Sequence, residues 1–348
     1  MERRSVRFDH LAKMTDETGV LEHGLGSVPR RNEGYSTDDQ ARALWVCLEW
    51  SGSCSSDDQK RLATLADTYT AFLLWAQKEN GHFHNNFAYD RSKEPEKPSD
   101  DCLGRCLWAC AKAMTATPAP HFAFAAELIF RKALPQVESM RYPRGWAYAL
   151  AAFAVLQHSG YDTDLTPRIT ILAEQLTGLY RQHSAPGWSW FEPAITYSNA
   201  LLPWGMLWAY DILKRPEFLD TALDTIDFLI GLSQNEAGQI RPVGSDGWCR
   251  PGYRALWDQQ PIDVMKLALA AAKAYEVTGK PSYEAIVLKC RDWFYGSNDL
   301  GTPMINERDG SCHDGLHAEG PNLNCGAEAV VSYLLTEAIC HKSLHVKV

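Results

Sequence analysis
The sequence predicts an all-α fold, a toroid of six helical hairpins, and three observations carry that reading. A polar, aromatic, turn-rich entry recurs six times along the 348 residues, and each copy runs into a small-residue, strongly apolar segment. The entries lie roughly 45–65 residues apart, a period expected of stacked supersecondary repeats. Between them lie more polar segments with a single apolar stripe, so two kinds of helix alternate. No run of alternating β-branched residues marks a sheet, which leaves strands only for hairpins within loops.

In chain order, an amphipathic outer helix is predicted near 6–18. The first entry, Tyr35-Ser36-Thr37-Asp38-Asp39, opens an inner helix, with Ser36 or Thr37 as cap and Asp39 or Gln40 completing a capping box. Leu62, Leu65, Ala66, Tyr69, Phe72 and Leu73 then form the stripe of an outer helix. Ser99-Asp100-Asp101 opens the second inner helix, and Asp38-x-x-x-Arg42-x-Leu44 recurs there as Asp101-x-x-x-Arg105-x-Leu107. The third entry is Tyr142-Pro143-Arg144-Gly145-Trp146 and the fourth Thr196-Tyr197-Ser198-Asn199. Trp257-Asp258-Gln259-Gln260-Pro261 and Pro321-Asn322-Leu323-Asn324 are the last two. Outer helices are expected near 121–138, 167–182, 216–233 and 281–296, and Pro143, Pro216, Pro261 and Pro281 suit first helical turns. Segments 147–156, 201–210, 264–275 and 327–335 are apolar nearly all round and rich in Ala, as helices buried on every side must be. Inner helices so arranged bring six N-terminal ends to one mouth, where function is expected. The Lys- and Pro-containing stretch 90–100 falls inside a repeat, so 1–348 is read as one domain.

A net charge of −9 without clustered Lys or Arg argues against nucleic-acid binding. There is no apolar run of the ~18 residues that a membrane span requires. Met1-Glu2-Arg3-Arg4-Ser5 lacks the apolar core of a signal peptide. The ten cysteines follow no framework spacing, and Cys102, Cys106 and Cys110 lie on one helical stripe, as buried thiols do. A reducing cytoplasm is the expected compartment. Neither a phosphate loop, a dinucleotide-binding glycine pattern nor a nucleophile elbow is present, so no cofactor is expected.

The chemistry is expected at the entries. Asp38-Asp39 and Asp100-Asp101 open inner helices facing the same mouth. Acids there stabilise the helix dipole and pair with Arg at i, i+4, yet two carboxylates in a partly dry cavity also split into an acid and a base. The loop Trp188-Ser189-Trp190-Phe191-Glu192 reads as a stacking platform beside a carboxylate whose pKa its aromatic neighbours raise; a hydrophobic plug is the structural alternative. His82 and His84 lack companions at metal-ligand spacing, so no metal is expected. His84, Asn85, Asn86 and Asp90 suit hydrogen bonds to sugar hydroxyls, as do Arg30, Glu33, Tyr35, Tyr197, Asn199 and Gln259. Trp146 and Trp257 supply further aromatic faces, and His313-Asp314-Gly315 and Glu319, just before the last inner helix, are placed to close the sixth side.

These motifs resemble the six-hairpin (α/α)6-barrel glycosidase superfamily over essentially the whole chain. More narrowly, Glu33-Gly34-Tyr35-Ser36-Thr37-Asp38-Asp39-Gln40-Ala41-Arg42 and Asp101-Cys102-Leu103-Gly104-Arg105 look like a bacterial domain fused to, or encoded beside, group 1 glycosyltransferases. That domain commonly has Asn where this chain has Gln40, and Ser-His where it has Cys102-Leu103, so a role for that histidine is lost here. The resemblance implies a carbohydrate-active toroid with a functional link to a glycosyltransferase; the chain itself has no room for the transferase.

The expected function is a glycoside hydrolase acting on an oligosaccharide, with two carboxylates working in the inverting manner. Glu192 is the expected acid, Asp39 or Asp101 the base, and Asp38 and Asp258 the reserves. A sugar isomerase or epimerase using His84 or His313, a polysaccharide lyase, and a non-catalytic glycan-binding partner of a transferase are the alternatives.

Overall fold
The computed structural model describes residues 6–345, and of those its side chains through residue 343. It contains twelve α-helices among the described residues. The inner set is α2 (Thr37–Trp50), α4 (Asp100–Thr115), α6 (Pro143–His158), α8 (Leu201–Leu213), α10 (Pro261–Thr278) and α12 (Ala327–His345). Each packs on the next, and α12 packs back on α2, so the ring closes. The outer set is α1 (Asp9–Met14), α3 (Ser56–Ala76), α5 (Ala123–Ala133), α7 (Thr166–His183), α9 (Pro216–Leu232) and α11 (Pro281–Phe294). The alternation of polarity thus becomes an outer and an inner ring, an (α/α)6 toroid.

Local chemistry sets the helix starts. Ser36 and Ser99 accept from the backbone N–H groups of Asp39 and Cys102, and Ser55 caps α3 in the same way. Pro143, Pro216, Pro261 and Pro281 occupy first-turn positions where the missing N–H costs nothing. Two outer helices are shorter than expected. α1 stops at Met14 because the chain turns into a bridge between Thr15 and Val20. α5 stops at Ala133, and Pro135 lies in the 3-10 turn that follows.

The core lies within and between the rings. On α6, residues 147–154 are all buried. Glycine permits that density at the seams: a Cβ on Gly104 would sit 2.8 Å from the Tyr148 Cβ, and one on Gly205 3.0 Å from the Ala147 Cα. The strands are two-residue antiparallel pairs in the loops. One of these, β1 (Gly24–Leu25) with β2 (Val28–Pro29), stands beside the mouth. Another, β3 (Tyr35–Ser36) with β4 (Asn86–Phe87), ties the second loop to the start of α2. No described helix is long and apolar enough to cross a membrane.

Candidate active site
The inner-helix N-termini surround a cavity of about 450 Å³. Its wall carries six carboxyl groups, those of Glu22, Asp38, Asp39, Asp101, Asp314 and Glu328. Arg42, Arg105, His23, Asn85, Tyr197 and Gln260 complete most of the polar lining.

The first turn of α2 is fixed from two sides. The Ser36 hydroxyl donates to Asp39 Oδ2 at 2.7 Å while accepting from the Asp39 N–H. Because β4 pairs with β3, Asn85 lies against the helix start, where its Oδ1 accepts from the Asp38 N–H at 3.1 Å. Asp39 is almost fully buried and receives Arg42 at 2.6 Å. Arg42 also reaches Glu328 on α12, at 2.5 Å. One seam further on, Arg105 lies 2.6 Å from Asp38 and 3.9 Å from Asp101. The Tyr197 hydroxyl donates to Asp101 Oδ2 at 2.5 Å, and the Arg144 guanidinium lies 4.6 Å from the Tyr197 ring centre. Two short carboxylate–guanidinium chains therefore hold one side of the wall rigid.

The electrostatics differ at Glu22, which neighbours the first of these chains. Glu22, one-third exposed, has the half-exposed His23 as its one ionic partner among the described residues, at 3.6 Å. Burial, reinforced by Asp39, pushes its carboxyl up to about 8, and Arg42 opposes the shift only in part. Burial also raises Asp39 against the pull of Arg42 and Ser36, and raises Asp314 against the N–H of Gly326. Below the rim, burial brings Asp263 up to about 7. Burial and the Asp101 carboxylate hold the Tyr197 phenol above its ordinary range. The cavity thus holds a carboxyl that keeps its proton at neutral pH beside acids fixed by guanidiniums.

The cavity gathers Asp38, Asp39, Asp101, Asn85 and Tyr197 from the sequence candidates. Glu192, the expected acid, stands behind that wall, paired through both oxygens with Arg144 at 3.1 and 3.0 Å. The pairing occupies the carboxylate that the sequence reading assigned to proton donation. The expected platform is absent as well: Trp190 is 0% and Trp188 6% exposed, and the Trp188 indole donates to the Glu192 carbonyl. The alternative reading of that loop as a hydrophobic plug describes it. Trp146 packs partly buried against the core.

Asp258 bonds Ser245 and faces His317, off the cavity wall, and Trp257 before it is half-buried. Gln259 is fully buried between Asp299 and the Trp293 indole. Asn199 braces its own loop through the Thr196 backbone. His84 is buried beside Glu96, whose carboxylate also accepts from the backbone of Asn85 and Asn86. Tyr35 is buried and donates to Asp16, Arg30 pairs with Glu33, and exposed Asp90 binds Ser92. His313 Nδ1 lies 3.8 Å from the Cys325 sulfur. Among the described residues no group of three or more His, Cys, Asp or Glu is placed to hold a metal ion.

Sequence reasoning did not select Glu22, Glu328 or Gln260 as site residues, and it placed Asp314 only at the sixth side of the mouth. Glu328 carried a usable signal, since Gly326-Ala327-Glu328 puts an acid in the first turn of α12 as Asp39 does in α2. Glu22 carried none. It lies in a non-repetitive stretch, and only tertiary contacts bring it to the wall: the Glu22 N–H donates to Gly34, and its carbonyl accepts from Ala327.

No family model and no curated protein matches the chain. Solved structures do. Cellobiose 2-epimerase from Bacillus thermoamylovorans B4167 superposes with a TM-score of 0.73 at 12% identity, covering 96% of both chains. A D-mannose isomerase gives 0.70 at 13%, over 97% of this chain and 95% of that one. An inactive α-1,6-mannanase variant of Salegentibacter sp. HEL1_6, with two consecutive aspartates replaced by alanine and α-1,6-mannotetrose bound, gives 0.65 at 10%, over 96% of both chains. What this chain shares with all three is the single-ring architecture, the (α/α)6 toroid.

Proposed function
We propose that the protein is a glycoside hydrolase, with Glu22 as general acid and Asp101 as general base. The observation that carries this reading is the Glu22 carboxyl, one-third exposed on the cavity wall and raised to about 8 beside acids already paired with arginine. A carboxyl that holds its proton beside guanidinium-paired acids suits the acid role in a two-carboxylate site. Glu22 protonates the glycosidic oxygen as its bond to the anomeric carbon breaks. Asp101 takes a proton from the water that adds to that carbon, and solvent returns the proton to Glu22. Tyr197 and Arg105 orient Asp101. Asp39 is less suited to act as base because Ser36 and Arg42 already occupy its oxygens. The loss of activity on removal of neighbouring aspartates in the mannanase supports acids of this kind as working groups on the fold.

The test is a panel of α- and β-linked oligosaccharides, read by new reducing ends and mass, with Glu22→Gln as control. Hydrolysis lost in the variant is the expected result. Interconversion of free reducing sugars without bond cleavage would replace this reading with isomerisation or epimerisation, the activities named for two of the structural neighbours.

A further inference from the structure
We infer that the cavity receives the uncharged non-reducing end of a glycan chain and that the enzyme acts from that end, an inference that rests on the proposed hydrolase reading. The wall draws on five of the six hairpins. Its residues come from their loops or helix starts: Asp38, Asp101, Tyr197, Gln260 and Glu328 each represent one. On the remaining side, at α6, Arg144 is packed under Tyr197. A chain threading the axis would need a second opening through the floor.

The floor is closed. Arg42 and Arg105 are about nineteen-twentieths buried beneath the acids. Below them Lys266 is fully buried, donating to the Tyr148 hydroxyl at 2.5 Å and lying 5.3 Å from the Trp45 ring. Trp45 belongs to a separate cavity at the opposite end of the inner helices, and the two cavities share no lining residue. At about 450 Å³ the upper one falls toward the small end of the ~300–1,000 Å³ typical of small-ligand sites.

Orientation follows from the chemistry. Acid and base must flank the anomeric carbon, so the residue enclosed by the wall supplies that carbon and the leaving oxygen points to the mouth. An enclosed residue of this kind is the non-reducing end. Charge then restricts its nature. Each wall guanidinium is already shared by two carboxylates, so a uronate or phosphorylated sugar would meet uncompensated acids.

The test uses the full chain and three probes, α-1,6-mannotetraose, cellotetraose and maltotetraose. Each is offered free, with its non-reducing end capped as a 4,6-benzylidene acetal, and with that terminal residue oxidised to the uronic acid. Calorimetry should show at least one free chain binding tenfold or more tighter than its capped and oxidised forms. Mass analysis of a reducing-end-labelled chain should show loss of one residue at a time. A capped or oxidised chain bound within twofold of the free one, early internal fragments, or binding of none of the three overturns the inference. End-selective binding without hydrolysis overturns the hydrolase reading and leaves the end recognition standing.

Discussion
Arg105 on α4 reaches back across the helix seam to Asp38 on α2, with 2.6 Å between its Nη1 and Oδ2. Arg42 repeats the relation one seam earlier by joining Asp39 on its own helix to Glu328 on α12. In both cases a guanidinium links a first-turn acid of its own helix to one of the preceding helix, so the same bonds shape the wall and fasten the ring.

Removing one of these guanidiniums should be costly. Arg105→Met leaves Asp38 in the wall without its cation, and breaking a buried pair costs about 3–5 kcal/mol. Guanidinium chloride denaturation measures the loss. A change within the ~0–1 kcal/mol of exposed pairs would show that solvent already screens this one.

Glu22→Gln keeps the shape of the side chain and removes its transferable proton. Turnover should fall at least ~10²-fold, the lower range for general acid–base catalysis, with an unchanged circular dichroism spectrum. Glu192→Gln should instead act on stability, because it weakens a bidentate pair with buried Arg144. A larger loss of turnover in Glu192→Gln than in Glu22→Gln would return the acid role to Glu192.

The raised Glu22 carboxyl sets a pH dependence of known sign. Activity needs the protonated form, so the alkaline limb should fall as pH rises through about 8. Stability follows linkage: between the ordinary carboxyl range and about 8 the native state holds a proton that the unfolded chain has released. The denaturation midpoint should therefore decline from pH 5 to pH 8.5, and less steeply in Glu22→Gln. Parallel slopes in the two proteins would contradict the shift.

Trp190→Ala should destabilise the fold by about 3–5 kcal/mol, as large core truncations do, and leave KM unchanged in the folded fraction. The ring is fully buried and edge-on to Phe191, 5.5 Å between centres. A raised KM at unchanged stability would restore it as a sugar platform.

The toroid was legible because burial imposes a pattern: helices enclosed on all sides read as continuous apolar runs, whereas outer ones keep a stripe. Asp38, Asp39 and Asp101 could be placed at the mouth for a related reason, since first-turn acids mark helix starts whatever else they do. The aromatic loop misled because position outside a helix does not imply exposure. Trp188 and Trp190 fill the gap beneath their own loop, and Glu192 meets an arginine 48 residues away in sequence. Glu22 was invisible for the complementary reason, because its environment depends on Asp39, Arg42 and Glu328, none of them local.

The closure of α12 on α2 has a consequence for how the protein comes into being. Arg42 and Glu328 are 286 positions apart, so a nascent chain can complete several hairpins while the cavity still lacks a side. Contacts of such sequence separation form late and slowly. Until they do, Arg42 lacks Glu328, and Glu22 lacks its backbone contact with Ala327 at the start of α12. Binding competence should therefore appear as an abrupt final event of assembly, after most of the helix content is already present.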